Sequence, residues 1–251
     1  MAAGVGSRIQ GLIHNKPKCL IEANGQSLIS RTVEMLKDKN IHDITVITGY
    51  KSELVRRELG SKVRYYHNPF YRVTNSIASL WLAKDLLADD DLILMNADLY
   101  FEEGVLDIAI AQDDTAVMLS DSTRIDDADF RFGVDGRCIR KTGNKLTNAE
   151  TDCEYVGIGR ISEDFLGTFK DRLEKMISNR DMNNWWEGVL YSFIEERMDI
   201  FHQDVMGTFW TEVDTPADYK RLTDWTSPLA YAPLQTSVVK QSASNGQTVS
   251  I

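Results

Sequence analysis

The stretch "DLILMNAD" at residues 91–98 decides the fold, because it is a run of apolar residues that ends in polar ones. Similar apolar runs occur in the first half of the chain: "DITVIT" at 43–48, "VRYY" at 63–66 and "TAVMLS" at 115–120. Short runs of this kind are typical of buried strands. We therefore predict a strand at each of these places.

Amphipathic helical patterns lie between these strands. "SLISRTVEMLKDKN" at 27–40 and "NSIASLWLAKDLL" at 75–87 each place their apolar residues along one helical face. Strands that alternate with helices predict an α/β protein with a doubly wound, mainly parallel sheet. Such a sheet binds its ligands at the carboxyl ends of the strands.

The second half of the chain starts differently. "FRFGVDGRCIRKTG" at 130–143 alternates around an Asp-Gly pair, which predicts a small β-hairpin subregion. "TFWTEVDTPADYKRL" at 208–222 then predicts a strand, a turn and a helix. We expect one domain over residues 1–226 and a disordered tail or linker over 227–251, which is rich in Ser, Thr and Gln.

The composition limits the class of protein. The chain has 251 residues, 43% hydrophobic and 26% charged, as in ordinary globular domains. A net charge of −10 argues against nucleic acid and anionic membranes as partners. No apolar run reaches the ~18 residues of a membrane span, and the N-terminus lacks the apolar core of a signal peptide. The cysteines show no CxxC spacing, so we expect a reduced, cytoplasmic setting.

The opening stretch "MAAGVGSRIQGLIHNKPKCL" at 1–20 contains no acidic residue. A glycine-rich turn around Gly4 and Gly6 presents backbone N–H groups that suit a phosphate, and Arg8 and Lys18 add positive charge. It is not a Walker A loop, because no Gly-Lys-Ser/Thr follows. From these residues alone, an ordinary glycine turn stays open as the alternative.

Only Met-Ala-Ala precedes this loop, although such a loop should follow a strand. The sequence thus begins at the last residue of its own first strand, and losing a central strand should remove much core burial. We expect either a natural start further upstream or a trimmed segment. The polar tail fits a segment of a longer protein, linked to another pathway enzyme.

Two acidic residues follow predicted strands. Asp98 ends "LILMNAD", and Asp214 ends "FWTEVD" just before a helix. Each alone reads as an N-cap or turn residue. Together with the opening loop they favour a site for Mg²⁺, which prefers carboxylate oxygens and leaves other positions to water and phosphate.

These segments together resemble the GT-A-like nucleotidyltransferases, which load a nucleotide onto a phosphorylated acceptor. The resemblance extends over roughly residues 1–225 and is carried by "AAGVGSR", "PKCL", "NGQSLISRTVEML", "VITGY", "MNADLYF", "DGRCIRKTG", "YVGIGRIS" and "FWTEVDTPADYKRL". "NSIASLWLAK" and "WWE" are similar to the cytidylyltransferases that act on phosphocholine, 2-aminoethylphosphonate and related phosphonates. The resemblance implies a Rossmann-like, three-layer αβα fold with a mainly parallel mixed sheet and a small β-hairpin acceptor subregion.

The resemblance also implies residue roles. Arg8 and Lys18 would be catalytic and hold the phosphates, and Asp98 and Asp214 would bind Mg²⁺ as the cofactor. The nucleotide would be bound by Ala2, Ala3, Gly4, Gly6, Ser7, Gly49, Tyr50, Asn75 and Ser76.

The sequence defines the acceptor pocket less clearly than the nucleotide site. By resemblance Lys141, Trp186 and Glu187 would bind the acceptor. An aromatic wall would favour a quaternary ammonium, whereas Glu187 would favour a primary one. The alternative is that one of the two tryptophans at 185–186 is core, that the glutamate faces solvent and that the hairpin charges form a solvated edge.

The resulting prediction is Mg²⁺-dependent transfer of CMP from CTP, or of another NTP's nucleotide, to a small anionic phosphate or phosphonate acceptor. The acceptor's phosphoryl oxygen is already anionic, so the attack needs no general base. One alternative is a sugar- or inositol-1-phosphate nucleotidyltransferase, and another is a nucleotide-sensing module without turnover. A dehydrogenase fits less well, because "GVGSR" lacks the third glycine. A homo-oligomer stays open.

Overall fold

The structure, a computed structural model, describes residues 1–9, 11–87 and 90–227. Its α-helices are α1 Leu28–Asp38, α2 Ser52–Leu59, α3 Ser76–Leu82, α4 Glu103–Ile110, α5 Glu163–Ser178, α6 Gly188–Glu195 and α7 Pro216–Thr226. Its strands are β1 Glu22–Ala23, β2 Gln26–Ser27, β3 Thr45–Thr48, β4 Arg64–His67, β5 Leu92–Met95, β6 Leu99–Phe101, β7 Ala116–Asp121, β8 Arg131–Asp135, β9 Cys138–Gly143, β10 Cys153–Ile161, β11 Phe201–Asp204 and β12 Trp210–Glu212.

The strands predicted from the four apolar runs are confirmed as β3, β4, β5 and β7. The two predicted amphipathic helices are confirmed as α1 and α3. Ser27 caps α1, since its side chain accepts a hydrogen bond from the Ser30 N–H. Local periodicity therefore located these elements within a few residues.

The sheet is mixed, and the prediction of a mainly parallel sheet is wrong for the described residues. The largest sheet has the order β5-β10-β7-β11-β9-β8. The long strand β10 runs antiparallel to both β5 and β7. Parallel pairing joins β3 to β4 and β7 to β11. The reason is that β10 enters from the hairpin side, without the helical crossover that a parallel neighbour requires.

The hairpin of β8 and β9 turns at Gly136 and Arg137, directly after Asp135, so the predicted Asp-Gly pair lies at the turn. It is continuous with the six-stranded sheet, because β9 pairs with β11 and β8 pairs with β10. The hairpin is therefore the end of the main sheet and not a separate subregion. The predicted tail at 227–251 lies outside the described residues except for Ser227.

Helices cover both faces of the sheet around β3. Neighbouring residues of this strand belong to different apolar clusters, because strand side chains alternate between faces. Val46 packs in the cluster that contains Val33 of α1, whereas Ile47 packs in the cluster that contains Leu80 of α3. The strand is thus buried on both sides, as its apolar sequence requires.

The first residues of the chain occupy a strand position between β3 and β5. Ala2 forms a parallel bridge with Thr48, and the Ala97 N–H donates to the Met1 carbonyl over 3.2 Å. The Met1 nitrogen donates to the Met95 carbonyl over 2.6 Å. These bonds deliver the following glycine loop to the carboxyl ends of both neighbouring strands, which confirms its predicted place after a strand.

In the part of the chain covering 1–9, 11–87 and 90–227, none of the helices combines the length and the apolar character that a bilayer span requires.

Gly49 lets the chain after β3 pass close to Ala3 and Tyr71. We therefore expect Gly49→Ala to destabilise the protein. A Cβ at this position would lie 2.6 Å from the Ala3 carbonyl oxygen and 2.6 Å from the Tyr71 Cβ. Overpacking of this kind costs about 1–3 kcal/mol of unfolding free energy, which denaturant unfolding would measure. The matched control is Gly167→Ala, because nothing lies within 4 Å of its Cβ position on the exposed face of α5. That change should stabilise by about 0.5–1 kcal/mol.

Candidate active site

A cleft of about 660 Å³ opens at the carboxyl ends of these strands. The predicted residues that border it are Ala3, Gly4, Gly6, Arg8, Lys18, Asn75, Ser76, Asp98, Glu187 and Asp214. Further residues that border it include Asn96, Asp129, Phe130, Trp185, Tyr191 and Glu212. Most of the predicted set therefore converges on one place, although its members are spread over most of the chain.

The glycine loop forms the cationic side of the cleft. Gly6 has φ 65°, a left-handed conformation that favours glycine. A Cβ on Gly6 would lie 2.5 Å from the Lys18 Cγ, so the bare glycine lets the lysine stem pass. The short 3₁₀ turn Ser7–Ile9 then presents Arg8, and buried Ile9 anchors it in the core.

Three carboxylates face this loop. Asp98, Glu212 and Asp214 each offer one oxygen within 4.8 Å of the others. A backbone hydrogen bond sets the spacing, because the Val213 N–H donates to the Asp98 carbonyl over 3.0 Å. Asp98 and Asp214 therefore lie together at one edge of the sheet, as predicted.

Lys18 lies between the two aspartates. Its ammonium is 2.5 Å from Asp98 Oδ2 and also forms an ion pair with Asp214. Arg8 forms a second ion pair with Asp214. The side chains of Lys18, Asp98 and Asp214 are only 16%, 16% and 18% exposed, so water screens these charges less than on an open surface.

The carboxylate cluster fits a hard divalent cation. All of its donors are carboxylate oxygens, which is the ligand type that Mg²⁺ prefers. The carboxylates repel one another, and burial together with nearby Asp98 raises the pKa of Glu212 well above its usual value. A cation at this point would relieve that repulsion, and Lys18 supplies one in its present position.

Glu187 also borders the cleft. It is buried, with 5% exposure, and burial raises its pKa to about 7. The Asn96 side-chain amide donates to Glu187 and to Glu212, each over 3.2 Å. Asn96 therefore links Glu187 to the carboxylate cluster.

Trp186 fixes the orientation of Asn96. The indole N–H of Trp186 donates to Asn96 Oδ1 over 3.0 Å, which leaves the amide nitrogen directed at the two glutamates. Trp186 is fully buried and does not border the cleft. The prediction that Trp186 contacts the acceptor is therefore corrected: this side chain is core and positions Asn96.

An aromatic wall stands beside Glu187. Phe130 stacks on Tyr191 with ring centroids 5.0 Å apart, and it meets Trp185 edge-on at 5.9 Å. Trp185 is 48% exposed, in contrast to its fully buried neighbour in the sequence. Of the two tryptophans in the "WWE" motif, Trp185 is therefore the one that borders the cleft.

Lys141 does not border the cleft, and its predicted acceptor contact is not supported. Its ammonium pairs with Glu150 over 3.0 Å at the hairpin surface. Lys141 therefore fits the alternative prediction, that the charges of the hairpin form a solvated edge.

Among the other predicted residues, Asn75 caps α3 and Tyr50 hydrogen-bonds to the backbone of the glycine loop's first residues. Asn75 Oδ1 accepts from the Ser76 N–H over 2.8 Å, and Ser76 Oγ accepts from the Trp186 N–H over 2.9 Å. The backbone N–H of Tyr50 donates to the Ala3 carbonyl, and neither Tyr50 nor Gly49 borders the cleft. Ala2 is buried in its strand position, and Ser7 lies in the 3₁₀ turn.

Sequence reasoning missed Glu212 and Asn96, although a signal was present. Each lies two residues before one of the predicted aspartates, in "EVD" and in "NAD". Side chains two residues apart on an extended chain point to the same face. That periodicity would have placed all four polar side chains on one surface.

A profile of the MobA-like NTP transferase domain matches residues 1–138 of this chain. The CTP:phosphoglutamine cytidylyltransferase of Campylobacter jejuni is 26% identical over 87% of this chain and 95% of its own length. The choline-phosphate cytidylyltransferase of Streptococcus pneumoniae is 28% identical over 88% of this chain and 94% of its own length.

The solved structure of the CTP:phosphocholine cytidylyltransferase from Streptococcus pneumoniae superposes with a TM-score of 0.70 at 25% identity. The match covers 89% of this chain and 95% of that one. The shared architecture therefore includes both the family region and the second half of the chain, which contributes Asp214 and Glu187.

The raised pKa of Glu187 predicts a pH-dependent effect of Glu187→Gln on stability. A carboxyl whose pKa rises from 4.5 in the unfolded chain to about 7 in the folded protein contributes fully below about pH 4.5, and this contribution is lost as the pH rises through about 7. Without ligands, Glu187→Gln should therefore be more stable than the natural chain near pH 8, by up to about 3 kcal/mol relative to their difference near pH 4. Denaturant unfolding at both pH values measures this, and a pH-independent difference would contradict it.

Proposed function

The chain belongs to the MobA-like NTP transferase family and is a nucleotidyltransferase, and from that premise we propose its substrates. We propose that it transfers CMP from CTP to a small acceptor that carries a phosphate or phosphonate at one end and an ammonium group at the other. Pyrophosphate is the second product. The observation that carries this proposal is that one cleft is bordered by the cations Arg8 and Lys18 and also by the buried carboxyl of Glu187 with an aromatic wall beside it.

The cationic side suits a triphosphate. In the proposed reaction, Arg8 and Lys18 exchange their aspartate partners for phosphate oxygens, and backbone N–H groups of the glycine loop add hydrogen bonds. An acceptor oxygen forms a new bond to the α-phosphorus while the bond to the β-phosphate oxygen breaks. The electron pair of that bond leaves with pyrophosphate.

This chemistry needs charge neutralisation more than proton transfer. The acceptor oxygen is already anionic near neutral pH, so its approach to the triphosphate is opposed by like charge. Mg²⁺ held by Asp98, Glu212 and Asp214 would supply part of the neutralisation and help to hold the attacking and leaving oxygens in line. Lys18, beside the same carboxylates, would act on the transferred phosphoryl group.

Glu187 and the aromatic rings near it suit an ammonium group. Glu187 is desolvated, and a bound cation would favour its charged form, so binding an ammonium and ionising Glu187 would reinforce each other. The rings of Trp185, Phe130 and Tyr191 offer faces or edges beside it, and the face of a tryptophan attracts cations most strongly. Such a pocket supports acceptors of the phosphocholine or 2-aminoethylphosphonate type.

A sugar- or inositol-1-phosphate acceptor is the second candidate. A carboxylate also accepts hydrogen bonds from sugar hydroxyl groups, but the aromatic rings near Glu187 add faces that attract a cation. The position of Glu187 therefore favours the ammonium-bearing acceptor. A nucleotide-sensing module is less well supported, because the full set of Arg8, Lys18, Asp98 and Asp214 is assembled in one cleft.

A matrix of donors and acceptors tests the proposed substrates. CTP, UTP, GTP and dTTP would each be combined with phosphocholine, 2-aminoethylphosphonate, ethyl phosphate and glucose 1-phosphate, and pyrophosphate release would be followed. We expect CTP with the two ammonium-bearing acceptors to give the highest kcat/KM. A preference for glucose 1-phosphate would refute the acceptor assignment, and no release with any pair would favour the sensing module.

Glu187→Gln separates recognition of the ammonium from the rest of the reaction. This variant should raise KM for 2-aminoethylphosphonate by at least about 10-fold, since a buried hydrogen bond between an ammonium and a carboxylate is worth roughly 1.5–3 kcal/mol. Its KM for ethyl phosphate, which has no ammonium, is the matched control and should change little. Equal effects on both acceptors would mean that Glu187 acts on the fold of the cleft and not on the ammonium.

Asp98→Asn tests the carboxylate cluster. Because the variant keeps the shape of the side chain but removes its charge, we expect folding to be retained and turnover to fall by about 10²–10³. The control is Asp107→Asn, whose carboxylate is 53% exposed and pairs with Lys39 far from the cleft. Near-normal turnover of Asp98→Asn at saturating Mg²⁺ would remove this residue from the metal site.

A further inference from the structure

Strand β10 brings Tyr155 to the cleft at an irregularity in the sheet. From Tyr155 to Gly159 this strand advances four residues, while its partner β7 advances only two, from Ser120 to Met118. Bulges of this kind redirect side chains and are common beside active sites. Tyr155 borders the cleft, as Glu187 does, although it is only 7% exposed. A buried tyrosine thus forms part of the wall of the cleft.

The ring of Tyr155 is held in place by its neighbours. It packs against the fully buried ring of Phe132 with the centroids 5.5 Å apart. The backbone N–H of Tyr155 donates to the Phe130 carbonyl over 2.9 Å, which ties it to a residue of the aromatic wall. Because closely packed side chains keep one rotamer, the hydroxyl group of Tyr155 has a fixed position in the wall.

The hydroxyl of Tyr155 is buried and has no hydrogen-bond partner among residues 1–9, 11–87 and 90–227. It approaches the Glu187 carboxyl, but not with the geometry of a hydrogen bond. Burial, together with the nearby Glu187, raises the pKa of this hydroxyl well above its usual value, so it keeps its proton. Buried hydroxyls are nearly always paired, because an unpaired one costs free energy. A polar group of a ligand in the cleft would satisfy this one.

The chemistry of Tyr155 and Glu187 distinguishes between two kinds of ammonium. A tyrosine hydroxyl can accept one hydrogen bond and donate another, whereas an ionised glutamate only accepts. A primary ammonium can donate one N–H to the Tyr155 oxygen and another to Glu187, while the Tyr155 O–H donates to Glu187. A quaternary ammonium has no N–H and would leave the hydroxyl unpaired beside a desolvated carboxylate. Aromatic faces attract both kinds of cation and do not separate them.

We propose that Tyr155 and Glu187 form a subsite for a primary ammonium, and that Tyr155 discriminates it from a quaternary one. This inference rests on the proposed function, in which Glu187 receives the ammonium of the acceptor. It narrows the acceptor to primary amines that carry a phosphate or phosphonate at the other end. Tyr155 contacts the substrate but takes no part in the transfer at phosphorus.

A methylation series of acceptors tests this subsite. The series consists of 2-aminoethyl phosphate, its N-methyl and N,N-dimethyl derivatives and phosphocholine, so the phosphate and the positive charge stay while the N–H donors are removed one by one. Ethyl phosphate, which has no nitrogen, is the reference. With CTP as donor, kcat/KM should fall by about 10-fold or more from the first member to the last, because a site built around hydrogen bonds rejects an analogue that lacks them.

Tyr155→Phe removes the hydroxyl and keeps the ring. It should lower kcat/KM for 2-aminoethyl phosphate by about 5–10-fold and leave phosphocholine and ethyl phosphate within about twofold, so that the series becomes nearly flat. Its Tm should not fall, because the lost hydroxyl has no partner before substrate binds. The matched control is Tyr65→Phe, which removes a hydroxyl that donates to the Gly60 carbonyl away from the cleft and should leave the series unchanged.

Equal losses on all acceptors in Tyr155→Phe, ethyl phosphate included, would mean that Tyr155 only supports the shape of the cleft and would overturn the proposal. A natural chain that prefers phosphocholine would also overturn it, and this measurement needs no variant. Either result would leave the reaction proposed above intact. If no ammonium-bearing acceptor reacted better than ethyl phosphate, both that function and this subsite would be contradicted.

Discussion

The interaction on which the cleft depends is the ion pairing of Lys18 with Asp98 and Asp214. The two aspartates come from segments more than a hundred residues apart, and their charges repel each other unless a cation lies between them. Lys18 supplies that cation and at the same time draws the opening loop onto the strand ends. Any anion that enters must compete for the same lysine, which links substrate binding to the release of the carboxylates.

The cleft combines cationic side chains with a buried carboxyl group beside aromatic rings. The cations Arg8 and Lys18 of the first twenty residues pair with Asp98 and Asp214, and Glu187 is desolvated near the stacked rings of Phe130 and Tyr191. Asn96 bridges Glu187 and Glu212 and is itself held by Trp186. In the proposed function, a small substrate with a negative and a positive end would direct its phosphoryl group toward Arg8, Lys18 and the carboxylate cluster, and its ammonium toward Glu187.

The architecture explains why these groups meet. The carboxyl ends of β3 and β5 lie on either side of Met1–Ala3, which places the loop, Asp98 and the neighbouring strand end at one edge. A cavity of about 540 Å³ lies below the loop, between β3 and β5.

The sequence by itself determined the early strands, the helices α1 and α3, the cationic loop with Lys18 and the pair of strand-end aspartates. Each of these is encoded by residues close together in the chain, as periodicity or as a short motif. Only the tertiary structure decided the direction of β10, the exclusion of Lys141 and which of Trp185 and Trp186 borders the cleft. Those outcomes depend on contacts between distant segments, because a hydrogen bond such as that from Trp186 to Asn96 has no trace in local sequence.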